Sequence, residues 1–427
     1  MIEQSSAPSK AEHSTGERVP DEQALAAARR WTRDADRVGD PYRTAELFPG
    51  EIYWDEDFWR FEKWALFDRE WLCVGHVGQI REPGDHFAIT LMDEPLIVSR
   101  DAAGEIHVLS AICQHRGHPL MDGLAKPETG GVKRGKLLVC PYHAWSYKLD
   151  GSLMAAPGMR ETANIDELRC RIRLPSIRHE IFEGLIFVNF NKDAAPITPR
   201  LERLHGLIEA FKMETLCPTE VASTGLIRSN WKIYQENSLE PYHTDVVHRN
   251  SHNPAPAHLS TFFEHSSDEA AIFTTTGFAE TNELFASDGQ QQLPGIPGLS
   301  EEQMSRILFV AVLPGLFLLF EPGSVLVTLS LPRGADTMEL LTFSLYTEQA
   351  CAVPGFAGIV AEQQAALNAI VAEDLTTQEA LQRGHRSRFT PKGVLSWLET
   401  TIPQMNGWLL HRYRIALAEA EGEQALS

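Results

Sequence analysis

Two short segments, 113-CQHRGHPL-120 and 140-CPYHAWSY-147, each set a cysteine two or three residues ahead of a histidine. Thiolates and imidazoles in this pattern are metal ligands, so whatever fold the chain adopts must bring these two loops face to face. Zinc accepts two cysteines and two histidines, and a structural zinc site is one answer. A zinc finger, however, groups Cys with Cys on one loop and His with His on the other, whereas each loop here is mixed. A [2Fe–2S] centre with both cysteines on one iron and both histidines on the other suits interleaved loops, and is the second answer. Cys113, His115, Cys140 and His143 are the candidate ligands under either reading.

The rest of the chain bounds what such a centre can serve. A length of 427 residues exceeds one ordinary core and predicts two domains. The net charge of −20 argues against nucleic-acid binding, because a phosphate backbone would repel the surface. No apolar run reaches the ~18 residues that cross a bilayer, and the first residues lack the apolar stretch of a secretion signal. They read as a polar tail, with a cytoplasmic location expected. The other cysteines, Cys73, Cys170, Cys217 and Cys351, have no histidine at ligand spacing and are expected as small buried hydrophobes.

Residues 57–71 carry apolar side chains at helical spacing. Short β-branched runs at 86–91, 95–100, 105–112, 137–140 and 185–190, punctuated by Gly and Pro, then predict an all-β module. Beyond 196 the reading is mixed, with a helix at 200–212 and a strand at 219–229. Apolar runs at 271–278, 307–313, 324–331 and 338–346 predict one antiparallel sheet. Helices follow at 357–383 and 402–420.

The segments 113-CQHRG-117 and 140-CPYHAWSY-147, with the turn at Asp150-Gly151, resemble the large (α) subunit of the Rieske non-heme iron ring-hydroxylating oxygenases. That resemblance implies a Rieske cluster on these four ligands, with Arg116 and Trp145 packed beside it. The 24-residue spacer between His115 and Cys140 is longer than most relatives carry. The surplus, residues 121–136, is Gly-rich and contains Lys126, Lys133, Arg134 and Lys136; it reads as a solvated loop, or as a docking patch for an acidic electron donor.

A second set of polar residues lies in 230-NWKIYQENSLEPYHTDVVHRN-250. His243 and His248 are five apart, which on a regular helix separates them by about 140°, so they converge only where the helix breaks or bulges. The family resemblance makes them ligands of a mononuclear Fe(II), completed by one carboxylate. In 373-EDLTTQEALQRG-384 the matching residue is Asp374, with Glu373 as its neighbouring rival. Asn237 is expected near the iron without binding it. Glu240 is expected to join an iron-ligand histidine to a Rieske histidine of a neighbouring subunit; most dioxygenases carry Asp there, while relatives that oxidise quaternary ammonium compounds carry Glu. Arg249 and His252 are candidates to hold a substrate carboxylate.

The expected fold is α+β. A lead-in spans 1–47, an N-terminal all-β Rieske domain with a leading helix spans 48–195, and a helix-grip (START-like) antiparallel-sheet catalytic domain spans 196–427. The resemblance implies the terminal oxygenase component of a multicomponent system. It would use O2 and NADH-derived electrons from a separate ferredoxin or flavin reductase, because the chain has no dinucleotide-binding GxGxxG. The expected reaction is hydroxylation of an aromatic or other hydrophobic small molecule; the alternative is N- or O-dealkylation of an amine, quaternary ammonium or methoxy compound. A homotrimer, with or without a small β subunit, is the expected assembly. An iron–sulfur electron carrier or a zinc-stapled binding protein are the rival classes.

Overall fold

The computed structural model describes residues 19–121, 131–249, 255–278 and 293–422. The predicted helix at 57–71 forms as Glu56–Glu62, capped by the Asp55 carboxylate, and continues into a wider π turn at Lys63–Phe67. Three small antiparallel sheets follow. Leu72–His76 pairs with Leu185–Asn189, which pairs with Arg178–Phe182. Ile106–Ser110, Glu94–Arg100, Asp85–Leu91 and Lys133–Arg134 make the second sheet, and Leu137–Val139, Ser146–Lys148 and Leu153–Ala155 the third.

Arg134 is committed inside this module. Its guanidinium donates to both oxygens of the buried Asp85 carboxylate at 2.7 and 3.2 Å. Of the spacer's basic residues, Lys133 and Lys136 remain exposed, and Lys126 lies outside the described residues. The other cysteines depart from expectation, since only Cys73 is buried. Cys170 is exposed, and Cys217 and Cys351 are half-buried.

The second half is built on one antiparallel sheet. Ser260–Phe262, Ala271–Gly277, Arg306–Val312, Leu316–Phe320, Val325–Gly334 and Thr337–Tyr346 pair in chain order. The last strand also pairs with Cys217–Pro218 and Ala222–Ile227. The apolar run 307–320 is thus a hairpin, turned at Gly315, whose φ of 84° favours glycine. A helix at Trp231–Leu239 packs on this sheet, against the long helix Phe356–Gly384 and the C-terminal helix Thr401–Ala420. No described helix is long and apolar enough to cross a membrane.

Two cores result. A small one gathers Ile97, Leu109, Cys113, Cys140, Trp145 and Tyr147 beneath the two Cys/His loops. The large one runs from the lead-in through the first three-stranded sheet and into the second half. We propose the division at 195/196 as a boundary of chemistry rather than of packing.

Residues 19–47 of the lead-in form packed structure where the sequence looked merely polar. Glu22–Thr32 is a helix whose N-cap Asp21 accepts from Ala24 N at 3.0 Å, with Glu22 in its first turn and Arg29 and Arg30 in its last. Alanines 24, 27 and 28 face inward and let it lie close to the C-terminal helix. At Gly39 a Cβ would come within 2.8 Å of Gly407 Cα, so the chain crosses that helix backbone to backbone.

One buried ion pair ties these layers together. Lys232 Nζ donates to Glu62 Oε1 and Oε2 at 2.8 and 3.0 Å, and both side chains are fully buried. Trp231 Nε1 donates to Oε2 at 3.0 Å, and the Tyr413 hydroxyl donates to Oε1. The carboxylate is thereby saturated by two helices. Removing one partner strands the other charge in a dry interior, so Lys232→Met is expected to cost roughly 3–5 kcal/mol. A lowered urea midpoint checks this; an unchanged midpoint would show the pair to be energetically idle.

Candidate metal centres

The two Cys/His loops fold alike although their sequences differ. In each, the cysteine carbonyl accepts from the N–H four residues on: Gly117 N to Cys113 O, and Ala144 N to Cys140 O, both 3.0 Å. The cysteine N–H then donates to the carbonyl five residues on, that of His118 at 3.0 Å or Trp145 at 2.8 Å. The closing residue is left-handed in both loops, with φ 77° at Gly117 and 57° at Ala144. Two matched loops bury Cys113 and Cys140 and leave His115 and His143 half-exposed.

The His115 and His143 rings stand 4.8 Å apart at 72°, and Trp145 stacks on His115 at 4.8 Å and 10°. Arg116 lies over the Tyr142 ring at 5.4 Å rather than on a ligand. His143 Nδ1 is buried without a hydrogen-bond partner, as a nitrogen reserved for a metal would be. Softer sulfurs inside and imidazoles outside suit a two-iron centre whose histidine iron faces the surface.

Tyr147 was missed by the sequence reading. Its hydroxyl accepts from Gln114 N at 3.0 Å, which directs its proton to Cys113 Sγ at 3.3 Å. Hydrogen bonds to cluster sulfurs stabilise the reduced form. One such bond is worth about 0.5–1.5 kcal/mol, so Tyr147→Phe is expected to lower the potential by roughly 20–60 mV. Redox titration at fixed pH checks this, and an unchanged potential would remove Tyr147 from the cluster's environment.

The second centre forms where a helix stops. Asn230 caps Trp231–Leu239 through Lys232 N, and Glu240 leaves the helix in an extended conformation (φ −107°, ψ 134°) ahead of Pro241. A single turn, Thr244–Val247, follows, with His243 at its start and His248 just past its end. This break brings the two histidines together. His243, His248 and Asp374 each offer a ligand atom, all within 4.8 Å of one another.

Asp374 Oδ1 lies 3.0 Å from His248 Nε2 and 3.4 Å from His243 Nε2, yet is buried with no hydrogen bond of acceptable geometry. The three atoms face a shared point rather than one another. Two imidazoles and a carboxylate on one face fit a mononuclear Fe(II). Around them the charge is negative. Burial acts against protonation of His243, but the adjacent Asp374 and Glu240 carboxylates outweigh it and carry its pKa up to about 10 without a metal.

The far nitrogens are oriented as ligand histidines require. His243 Nδ1 is 2.6 Å from Glu240 Oε1, and His248 Nδ1 is 2.8 Å from Glu373 Oε2. Glu373, the rival ligand, therefore sits behind His248 instead of beside Asp374. The other Glu240 oxygen accepts from the Tyr242 and His243 backbone N–H groups, capping the short turn.

The long helix delivers Asp374 by a polar stripe. Its buried side chains are Gln378 and Gln382, four and eight residues beyond Asp374. Gln378 Nε2 donates to Asn237 Oδ1 at 2.7 Å. Gln382 accepts from Asn230 N at 2.7 Å and donates to Tyr53 O at 2.9 Å. The carboxylate is thus registered against the helix that precedes its histidines. Spacing of Asp374, Gln378 and Gln382 by four was the signal available in sequence.

A cavity of about 370 Å³ opens onto this centre, lined by His243, His248, Asp374, Glu240 and Asn237 together with sheet residues and the long helix. Arg249 is exposed and absent from the lining, and His252 lies outside the described residues.

Comparison with known proteins places these observations. Residues 70–171 match the family model for the Rieske [2Fe-2S] domain, and residues 202–415 that for the ring hydroxylating alpha subunit catalytic domain. The carnitine monooxygenase oxygenase subunit of Acinetobacter baumannii is 28% identical over 211 residues, 48% of this chain and 53% of that protein. The glycine betaine monooxygenase oxygenase subunit of Chromohalobacter salexigens is 32% identical over 228 residues, 52% of this chain and 47% of that one. The chain thus spans about half the length of the curated relatives it matches. A quaternary ammonium Rieske monooxygenase structure superposes with a TM-score of 0.72 at 20% identity, covering 89% of this chain and 98% of that one. Naphthalene 1,2-dioxygenase from Rhodococcus sp. gives 0.70 at 19% identity, covering 93% and 99%. These two establish the fold, and the family models establish the kinship: the chain belongs to the ring-hydroxylating alpha subunit family, with a Rieske [2Fe–2S] domain ahead of its catalytic domain.

Proposed function

We propose that this chain is the terminal oxygenase of a multicomponent system and that it monooxygenates a carbon attached to nitrogen in an amine or quaternary ammonium compound. The observation that carries this reading is the His243, His248 and Asp374 face opening onto a cavity, with Glu240 behind a candidate ligand histidine. Carnitine and glycine betaine monooxygenase subunits among the relatives move the weight from the aromatic reading to this alternative. The aromatic reading keeps one supporting observation, the mostly apolar cavity wall that includes Phe309, Phe317 and Leu319.

When bound, the two-iron cluster supplies one-electron transfer and the single iron supplies O2 activation. The chain supplies the rest. Cys113, Cys140, His115 and His143 hold the cluster near the surface. His243, His248 and Asp374 hold the single iron, while Glu240 and Glu373 fix the tautomers of the two histidines. Asn237, held by Gln378, keeps a polar group beside that face. The sheet and long helix exclude water from the reacting carbon.

An N-methyl group, O2, two electrons and two protons give N–CH2OH and water. A quaternary carbinol of this kind then releases formaldehyde, a proton and the tertiary amine. The electrons come from NADH through a separate ferredoxin or flavin reductase. The working assembly is a homotrimer, in which Glu240 adjoins a Rieske histidine of the neighbouring copy.

Anaerobically prepared protein should be red-brown and contain roughly three irons per chain, two in the cluster and one outside it. Supplied with a surrogate reductase, it should take up O2 on addition of trimethylammonium substrates and release formaldehyde. Stoichiometric zinc, or iron confined to the cluster, would end the reading.

A further inference from the structure

We propose that the cavity selects a substrate that carries no carboxylate, unlike carnitine and glycine betaine, the compounds named for two of the relatives. This rests on the ammonium reading above only for the head group. The tail is argued from the cavity itself.

Among the described residues no lysine or arginine lines the cavity, and its charged side chains other than the ligand histidines are Glu240 and Asp374. An anionic tail would therefore enter a space already holding two carboxylates and meet no lysine or arginine among the described lining residues.

The neutral donors are largely spent on the protein. Thr274 Oγ1 donates to Thr261 O at 2.9 Å, Thr276 Oγ1 is 2.7 Å from Ser260 Oγ, and Ser223 Oγ donates to Glu339 Oε1 at 2.6 Å. Thr328 and Thr342 face each other across their strands at 3.4 Å. The hydroxyls of this threonine row are thus already engaged within the protein. A desolvated carboxylate with few donors and no cation is costly.

A cationic head meets the opposite conditions. Three aromatic rings line the cavity, Phe317 standing 6.4 Å from both Tyr234 and Phe309, and Glu240 is also in the lining.

Four probes separate head from tail at constant shape: γ-butyrobetaine, 4-(trimethylammonio)butan-1-ol, and their carbon isosteres 5,5-dimethylhexanoate and 5,5-dimethylhexan-1-ol. Calorimetric binding to the holoenzyme should favour the alcohol over the carboxylate by about tenfold or more within each pair. Carboxylates that bind as tightly as the alcohols, or alcohols that do not bind, overturn the proposal. A tail effect with no gain from nitrogen over carbon leaves the proposal standing and sinks the ammonium reading instead. Asn368 sits at the cavity on the exposed side of the long helix, where a lysine is tolerated. Asn368→Lys should shrink the tail preference several-fold; an undiminished preference would overturn the charge argument.

Discussion

Asp374→Ala is expected to abolish turnover and empty the single-iron site, while the visible spectrum of the two-iron cluster stays as in the wild type. The two histidines alone leave a divalent cation with one face of neutral ligands, and the charge that compensates it is gone. Glu373 does not substitute, because its carboxylate is engaged behind His248 at 2.8 Å. Glu373→Ala should be the milder variant: the iron site persists with roughly 10–100-fold weaker affinity or activity, the usual cost of losing a partner behind a ligand. Iron per chain, the cluster spectrum and formaldehyde release together read both variants. A fully active Asp374→Ala beside a dead Glu373→Ala would mean the carboxylates are assigned the wrong way round.

Glu240→Ala should separate the two centres without emptying either. Its Oε1 holds His243 Nδ1 at 2.6 Å, and in the proposed trimer the same carboxylate faces a histidine of the adjoining Rieske domain. Electrons would then cross that gap slowly, by roughly 100-fold or more, although the cluster still accepts them from the reductase. Alanine also removes the acceptor of the Tyr242 and His243 N–H groups ahead of the Thr244–Val247 turn, worth ~1 kcal/mol, so Glu240→Gln is the control that keeps length and one acceptor. Rapid-mixing reoxidation of the reduced cluster, with substrate and O2 present, measures the step. A wild-type rate in Glu240→Ala, or a fully active monomer on a sizing column, would sink the inter-subunit role.

The candidate ligands were legible because their chemistry is local: Cys-x-His and Cys-x-x-His declare themselves within a few residues, as does the broken helix between His243 and His248. Sheet strands longer than five residues were legible for the same reason, through β-branched runs ended by Gly and Pro. What escaped depends on contacts distant in sequence. The stretch 357–383 reads as an Ala/Gln/Glu helix, and beyond the four-residue spacing from Asp374 no local feature marks Gln378 and Gln382 as the side chains it buries. Glu373 and Asp374 are adjacent acids, and only the direction each takes from the helix assigns one to the ligand face and one to His248. Tyr147 resembles ordinary core until Gln114 N fixes the direction of its proton. The lead-in helix was hidden by its polar surface, because its inward face is alanine rather than leucine.

That lead-in helix also sets a timetable. Glu22–Thr32 leaves the ribosome early, but the helix it rests against, Thr401–Ala420, is made roughly 370 residues further on. At about 5–20 residues per second, the first helix waits some 20–70 s for its partner. Arg29 and Asp36 find Glu421 and Arg414 only then. The small core under the Cys/His loops depends on neither segment, so it can close, and accept its cluster, while the catalytic half is still being synthesised. Cofactor loading would thus run in two stages, sulfur-ligated iron first and single iron last, with the Thr401–Ala420 helix completing the fold between them.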